Sequence, residues 1–314
     1  MISLDNGFQE VVAIVADVES AAARLSRTLR YGEICRGAVP SAALNLLGLE
    51  GRSGSEILLG HPDCPRGAIR LIGIDGTPLP RTRDGGQPWD PGGIFDINLR
   101  ALQGIEPLHH ALSLNGFSSP APITDWDFGP LSVREVVEAD ADGVVMALME
   151  RVAPPLQGYE GIGGPASWVF NSTQIVPDFA AARAFYCDTL GWQVVQETQL
   201  QHPDGRNCMG LPLGLAPGIE AQVGIYHPHG RMEGSVEIIA FDCGGIDFSD
   251  APTGRGWACL RFLVSDAAAL LKRAGQGDCT VTPLAELDWR PHGRCLAGSI
   301  RTPWGARLEV LQLV

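Results

Sequence analysis

Apolar and polar positions follow one repeated order at three places in the chain. In residues 172–192 an apolar, strand-like stretch leads to Asp178, and apolar residues then recur at helical spacing. Asp178 stands where a helix N-cap is expected, because its carboxylate can accept hydrogen bonds from free N–H groups of the first turn. Gly191 is placed to end the helix. The pattern predicts a buried strand, an acidic cap and an amphipathic helix.

The same order occurs earlier and later in the sequence. Residues 12–17 end on Asp17 and lead into a helical pattern up to Gly32, and residues 260–266 end on Asp266 before a second such pattern. In the clearest copy three more strand-like stretches follow the helix, at residues 193–201, 209–226 and 234–241. The repeated unit is therefore predicted to be a βαβββ module.

The spacing of the caps predicts a fourth copy. Asp17 and Asp178 are 161 residues apart, whereas Asp178 and Asp266 are 88 apart, so one copy is missing near residue 95. Residues 93–101 are strand-like and residues 103–116 are compatible with a helix, although no aspartate precedes that helix. Four modules are expected, and the second is the weakest.

Segment 175–192 contains the pair Phe185-Tyr186 and ends on Leu-Gly-Trp. In this it resembles the vicinal oxygen chelate superfamily, which includes glyoxalase I, extradiol dioxygenases, epimerases and fosfomycin- and bleomycin-resistance proteins. The resemblance implies an α+β fold in which four βαβββ modules form two glyoxalase-like half-barrel domains. It does not specify a reaction, because one fold hosts many chemistries.

Taken in chain order, the modules are expected to pair as two domains. Residues 1–153 would form an N-terminal pair and residues 167–314 a C-terminal pair, joined by a linker at residues 154–166 that is rich in Pro and Gly. We expect the N-terminal pair to be degenerate and the C-terminal pair to carry the site.

Composition restricts the partners. A net charge of −13 disfavours nucleic acid and anionic membranes. No apolar run reaches the ~20 residues that a membrane span needs, and acidic Glu10 stands where a signal peptide would be basic or apolar. Eight cysteines without a CxxC pair are typical of reduced thiols, so a cytoplasmic location is expected.

In the superfamily, metal ligands project inward from the first and last strands of each module. The resemblance places the first-strand positions at Asn171 and Cys259 and the last-strand positions at Glu237 and Glu309. The two histidines of extradiol enzymes are missing, and ferrous iron in such sites takes two imidazoles and a carboxylate. A divalent metal held by Glu237, Glu309 and Asn171 and a metal-free site are both left open. No nucleotide cofactor is expected.

Other residues are weaker candidates. In the first half Glu10 and Arg70 are expected to pair without a metal. His292 lies in a loop before the last strands and is a candidate acid or base. Arg301 is a candidate to bind an anionic substrate or to neutralise Glu309. His227 is a candidate substrate contact, or lines a turn.

The predicted function is an enzyme acting on a small oxygenated substrate in a C-terminal cup, as a lyase, an isomerase or a dioxygenase-like protein. Glu309 and Glu237 would be a general base or metal ligands, and Asn171 would orient the substrate. The alternative is a metal-free binding protein of the resistance type, with a pocket lined by Trp168, Trp257, Trp289 and Trp304. The partner would be a small molecule, and a homodimer is left open.

Overall fold

The computed structural model describes residues 6–128, 131–202 and 204–314, and within them one order of elements repeats four times. Residues 1–5, at the start of the predicted first domain, lie outside this part. The first module consists of β1 (Phe8–Val15), α1 (Val18–Leu29), β2 (Gly32–Ala38), α2 (Ser41–Leu46), β3 (Gly54–Gly60) and β4 (Ala68–Ile74). The second consists of β5 (Ile94–Ala101), α3 (Ile105–Ser113), β6 (Thr124–Phe128), β7 (Leu131–Ala139) and β8 (Val145–Ala153).

The third and fourth modules follow the same plan. The third consists of β9 (Ala166–Ile175), α4 (Phe179–Ala184) with a π-helical turn at Phe185–Thr189, β10 (Gln193–Gln201), a 3₁₀ turn at Ala216–Gly218, β11 (Glu220–His227) and β12 (Ser235–Phe241). The fourth consists of β13 (Gly256–Leu263), α5 (Ala267–Ala274), β14 (Thr280–Trp289), β15 (Gly293–Arg301) and β16 (Arg307–Leu313). The predicted βαβββ unit is confirmed, with α2 as an addition in the first module.

Aspartates cap three of the helices as the pattern predicts. Asp17 Oδ1 accepts hydrogen bonds from the backbone N–H groups of Glu19 and Ser20 at 3.1 Å. Asp178 and Asp266 each accept one from the N–H three residues later, at 2.9 Å. Gly104 precedes α3 and has no side chain to cap it. The second module is thus the one with the weakest helix signal.

The modules combine into sheets in an order that differs from chain order. One sheet runs β14-β15-β16-β13-β1-β4-β3-β2 and joins the fourth module to the first; we call it the 1/4 sheet. The other runs β10-β11-β12-β9-β5-β8-β7-β6 and joins the third module to the second; we call it the 2/3 sheet. Residues 1–153 therefore contribute to both sheets, and so do residues 167–314.

This pairing corrects the expectation of a single C-terminal cup. In each sheet the first strands of two modules lie antiparallel, β1 beside β13 and β5 beside β9. Any first strand can offer its free edge to any other, so the repeat predicts the module but not its partner. The expected half-barrel architecture itself is confirmed, as two curled eight-stranded sheets.

Apolar packing gives each sheet an outer and an inner face. The largest cluster joins the outer faces of both sheets to α1, α3, α4 and α5. A second cluster fills part of the inner face of the 1/4 sheet, where Leu44 and Leu46 of α2 pack against Val12 and Ile14. A third and smaller cluster, which includes Phe95 and Val223, lies on the inner face of the 2/3 sheet. No helix in the described ranges is long and apolar enough to span a membrane.

Candidate functional site

Buried charged side chains occupy the middle of the inner face of the 1/4 sheet. Arg261 on β13 donates to Glu309 Oε2 on β16 through Nε at 3.0 Å and Nη2 at 2.7 Å. Arg261 Nη1 also donates to Glu10 Oε2 on β1 at 2.6 Å. Arg261 and Glu309 are fully buried. Glu309 thus points inward, as strand alternation predicts, and its charge is neutralised by Arg261.

Arg70 extends this network on the other side of Glu10. Its Nε donates to Glu10 at 2.9 Å, and Nη1 lies 2.8 Å from Glu56. The predicted pairing of Glu10 with Arg70 is confirmed. The guanidinium of Arg261 stacks on Trp289 at 3.6 Å from the ring centroid, and the indole N–H donates to Glu56 at 3.0 Å. The inner face of the 1/4 sheet is thus filled by its own side chains.

Two more candidates belong to this network. His292 Nε2 lies 2.7 Å from Glu10 Oε1, so His292 contacts a structural carboxylate. Cys259 is fully buried, and burial together with the carboxylate of Glu309 raises the pKa of its thiol well above the ordinary value. Burial by itself would raise the pKa of Glu10, but Arg70 and Arg261 outweigh burial and hold that pKa well below its usual range.

On the inner face of the 2/3 sheet, polar side chains form two rows across adjacent strands. The strands β5, β9 and β12 are neighbours, and their register aligns Asp96 with Thr173 and Glu237 in one row, and Asn98 with Asn171 and Ser235 in the next. These rows bring Glu237 and Asn171 together, as the sequence predicts for this pair, and separate them from Glu309 and Cys259.

Hydrogen bonds order the two rows. Asn98 Nδ2 donates to Asn171 Oδ1 at 2.9 Å, and Asn171 Nδ2 donates to Ser235 Oγ at 2.7 Å. Thr173 Oγ1 accepts from Asn98 Nδ2 at 3.1 Å and donates to Glu237 Oε2 at 3.0 Å. The amides hold each other in place, whereas Glu237 is held by a single hydroxyl.

Two adjoining cavities open above these rows. The first, of about 550 Å³ including the solvent at its open mouth, is lined by Asp96 and Glu135 among others, and we call it the acid lobe. The second, of about 540 Å³ on the same measure, is lined by Arg100 and Arg151 among others, and we call it the arginine lobe. Glu237 lines both lobes. A ligand that fills the two lobes would therefore pass over the carboxyl group of Glu237.

We call the two lobes, with the polar rows beneath them, the 2/3 cup, and three of its carboxyl groups have raised pKa values. Burial, with added repulsion from Asp96, raises the pKa of Glu237 to about 8. Burial raises the pKa of Asp96 to about 7, and it raises that of Glu135 to about 7. None of the three takes part in an ion pair with another described residue. Each therefore titrates near neutral pH, where proton transfer by a carboxyl group is useful.

Comparison with known proteins agrees with this architecture. The family model described as Glyoxalase/Bleomycin resistance protein/Dioxygenase superfamily matches residues 168–310. The resemblance to the vicinal oxygen chelate superfamily is confirmed. The superfamily match covers the third and fourth modules, which lie in different sheets. Comparison with curated proteins found no match.

Solved structures share the fold over nearly the whole chain. Glyoxalase I from Zea mays has a TM-score of 0.64 at 13% identity, over 98% of this chain and 92% of that chain. A putative dioxygenase from Bacillus subtilis subsp. subtilis str. 168 has a TM-score of 0.59 at 12% identity, over 99% of this chain and 86% of that one. At these identities the likeness shows the fold, and the site must be argued from this chain's own residues.

The residues of the 2/3 cup do not fit the metal site that the superfamily implies. The first strands of its two modules offer the amides of Asn98 and Asn171, which bind each other. The last strands offer the methyl group of Ala147 and the carboxyl group of Glu237. No three His, Cys, Asp or Glu residues in the described part of the chain are grouped to hold a metal ion. Hard divalent ions favour several oxygen ligands with charge, and transition metals favour imidazole or thiolate.

The remaining candidates lie away from the two lobes. His227, at the end of β11, accepts a hydrogen bond at Nδ1 from the N–H of His229, and burial lowers its pKa to about 4. Arg301 donates to the carbonyl oxygens of Ser249 and Ala251 at 2.9 and 3.0 Å. Both side chains thus support turns and loops. None of the four candidate tryptophans lines either lobe.

Several cup residues were not found from the sequence. Asp96, Asn98 and Arg100 alternate along β5 with apolar residues of the outer face, and this period of two is the signal of a strand with one polar face. Arg261 likewise follows Cys259 by two residues on β13. Because it is the longer of the two side chains, Arg261 reaches both Glu10 and Glu309 in the network of the 1/4 sheet.

Proposed function

We propose that this protein is an enzyme that moves a proton on a small oxygenated organic substrate bound in the 2/3 cup, with Glu237 as the acid–base group. The observation that carries the proposal is the position of Glu237. It lies at the junction of both lobes, has no cationic partner among the described residues, and has a pKa of about 8. In contrast, the acids of the 1/4 sheet are already neutralised by arginines.

The chemistry follows from the neighbours of Glu237. Two ionised carboxylates at Asp96 and Glu237 would repel across Thr173, so the pair holds one proton near neutral pH. The ionised member can take a proton from carbon beside a substrate carbonyl, and the protonated member can return one to oxygen or carbon. Such a transfer is the common step of isomerases and lyases on oxygenated substrates. No step requires a metal or a nucleotide.

The partner and the cellular location that we propose are those expected from the sequence. The substrate is a small molecule, and the eight cysteines are all free, which suits the reducing cytoplasm. Asn171 is assigned a positioning role, because its amide is held on both sides by Asn98 and Ser235. A homodimer is compatible with this proposal and is not required by it.

Proton exchange tests the proposal without knowledge of the full reaction. The protein is incubated in D₂O with a panel of small 2-oxo and 2-hydroxycarbonyl compounds, and loss of the proton beside the carbonyl is followed by NMR. We expect exchange of at least one compound by the wild type and a loss of about 10²-fold or more in Glu237→Gln. Glu286→Gln, an exposed change on β14, is the matched control and should exchange at the wild-type rate.

Two outcomes would count against the enzyme. Equal exchange by the wild type and Glu237→Gln would remove Glu237 from the reaction. Binding of panel compounds without exchange of any proton would favour the alternative, a non-catalytic binding protein.

A further inference from the structure

Arg100 on β5 is a buried cation without an acidic partner. Only 4% of the residue is exposed, and none of the ion pairs formed by described residues includes it. Its guanidinium lies 3.7 Å from the ring centroid of Phe170 and contacts Met149 Sδ and the hydroxyl of Tyr159. These partners are neutral. Its Nε is buried and donates to no described group.

Arg151 on β8 repeats this situation in the same lobe. Its Nε is also buried without a hydrogen-bond acceptor in the described structure. Burial, together with the positive charge of Arg100, lowers the pKa of Arg151, so the two cations are near enough to repel. Both side chains line the arginine lobe. Arg100 is buried and Arg151 is half-buried, and two like charges at this distance are costly in a partly desolvated cavity unless an anion joins them.

The arginines of the 1/4 sheet show what this fold does with buried cations elsewhere. Arg70 is paired with Glu10 and Glu56, and Arg261 is paired with Glu10 and Glu309. Glu237 lines the arginine lobe, and Glu135 is near enough for the charge of Arg100 to lower its pKa, but neither acid forms an ion pair with Arg100 or Arg151 among the described residues. The counter-ion of these two arginines is therefore expected to come from outside the chain.

We propose that the arginine lobe binds the anionic group of the substrate, a carboxylate or a phosphate, between Arg100 and Arg151. Guanidinium groups bind both kinds of anion through paired N–H donors. The rest of the lobe is largely apolar, with Phe170, Val223 and Ile225 in its wall, so the anion is carried by an aromatic or aliphatic body. In combination with the proposed function, which this assignment extends, the anion would anchor a substrate whose reactive carbon lies at Glu237.

Calorimetric titration with simple anions tests this assignment. The probes are benzoate, inorganic phosphate and neutral benzamide, which has the shape of benzoate without its charge. We expect benzoate or phosphate to bind the wild type, benzamide to bind at least tenfold more weakly than benzoate, and Arg100→Met to weaken anion binding at least tenfold. Arg36→Met, an exposed change on β2, should bind like the wild type. The better of the two anions identifies the group that the lobe prefers.

A thermal melt keeps the test independent of folding defects. Arg100→Met removes an unpaired buried cation and Arg151→Met removes a half-buried one that repels it, so neither is expected to lower Tm in the anion-free protein. The anion that binds should raise Tm of the wild type but not of these variants. Equal anion affinity in the wild type, Arg100→Met and Arg151→Met would overturn the assignment, and so would the lack of any binding by both anions.

This result is separable from the test of the proposed function. The titration requires no turnover, and the variants that it uses at Arg100 and Arg151 leave Glu237 in place. Anion binding without proton exchange would support the anion site and contradict the proposed proton transfer. Proton exchange without anion binding would support the proton transfer and contradict the anion site.

Discussion

Substitution of Arg261 by methionine is expected to lower the free energy of unfolding by about 3–5 kcal/mol at neutral pH. The substitution leaves Glu309 fully buried with its cation removed, and Glu10 loses one of its two guanidinium partners. The loss is large because an unpaired buried charge is far more costly than a neutral group of similar size. Ligand binding in the 2/3 cup should be unchanged, since Arg261 belongs to the other sheet.

Urea unfolding measures this loss, with the exposed Arg36→Met as control. The double variant Arg261→Met with Glu309→Gln should regain part of the stability, because it leaves a neutral amide in place of the unpaired carboxylate. An Arg261→Met protein as stable as the wild type would mean that Glu309 is solvated or neutral, and that the charge network is not structural.

Substitution of Glu237 by glutamine is expected to make the protein relatively more stable as the pH rises. The folded pKa of Glu237, about 8, is above the ordinary glutamate value of 4.5. A group with a raised folded pKa contributes stability below its unfolded pKa, and that contribution is lost as the pH rises through the folded pKa. Between about pH 5 and pH 8.5 the wild type should therefore lose about 2 kcal/mol that the variant keeps, a value that allows for partial solvent exposure.

The test is a pair of urea unfolding curves at the two pH values for the wild type, Glu237→Gln and the control Glu286→Gln. The difference between Glu237→Gln and the wild type should grow with pH in favour of the variant, and the control should show no such trend. A difference that stays constant with pH would mean that Glu237 titrates alike in the folded and unfolded chain.

The two inner faces differ in how their charges are balanced. On the 1/4 sheet, Arg70 and Arg261 lie among three carboxylates that they contact directly. In the 2/3 cup, Glu237 lines the arginine lobe with Arg100 and Arg151, and Asp96 and Glu135 line the adjoining acid lobe, but the described residues form no ion pair between these acids and these arginines. Perturbed groups without partners are typical of sites that bind or transform a ligand. This contrast favours the 2/3 cup as the functional site.

Local features of the fold could be predicted from the sequence, because they depend on neighbouring residues. Asp17, Asp178 and Asp266 cap their helices as expected, and the strand at Gln193–Gln201 has the predicted bounds. The pairing of modules could not be predicted. It depends on contacts such as Glu10 with Arg261, which are far apart in sequence and leave no local pattern.

In the site, too, local features could be predicted from the sequence and long-range contacts could not. Alternation around Glu309 predicted that its side chain points inward, which is the case. It could not show that Arg261 pairs with Glu309 on that face. Glu237 and Asn171, which come from one module, lie in neighbouring rows of one face, whereas Glu309 and Cys259, which were predicted beside them, lie in the other sheet. Asp96 and Arg100 come from the module with the weakest repeat signal, and for that reason they were not found.

The proposed role of Glu237 requires a desolvated carboxyl group that exchanges a proton near neutral pH. A ¹³C NMR titration of protein labelled at the glutamate side-chain carboxyl tests it most directly, with the resonance of Glu237 assigned by its loss in Glu237→Gln. We expect an apparent pKa of about 8 for this resonance, and a lower one when Asp96 is replaced by Asn, because the repulsion from Asp96 is then removed. A midpoint near the ordinary glutamate value of 4.5, unaffected by Asp96→Asn, would contradict it.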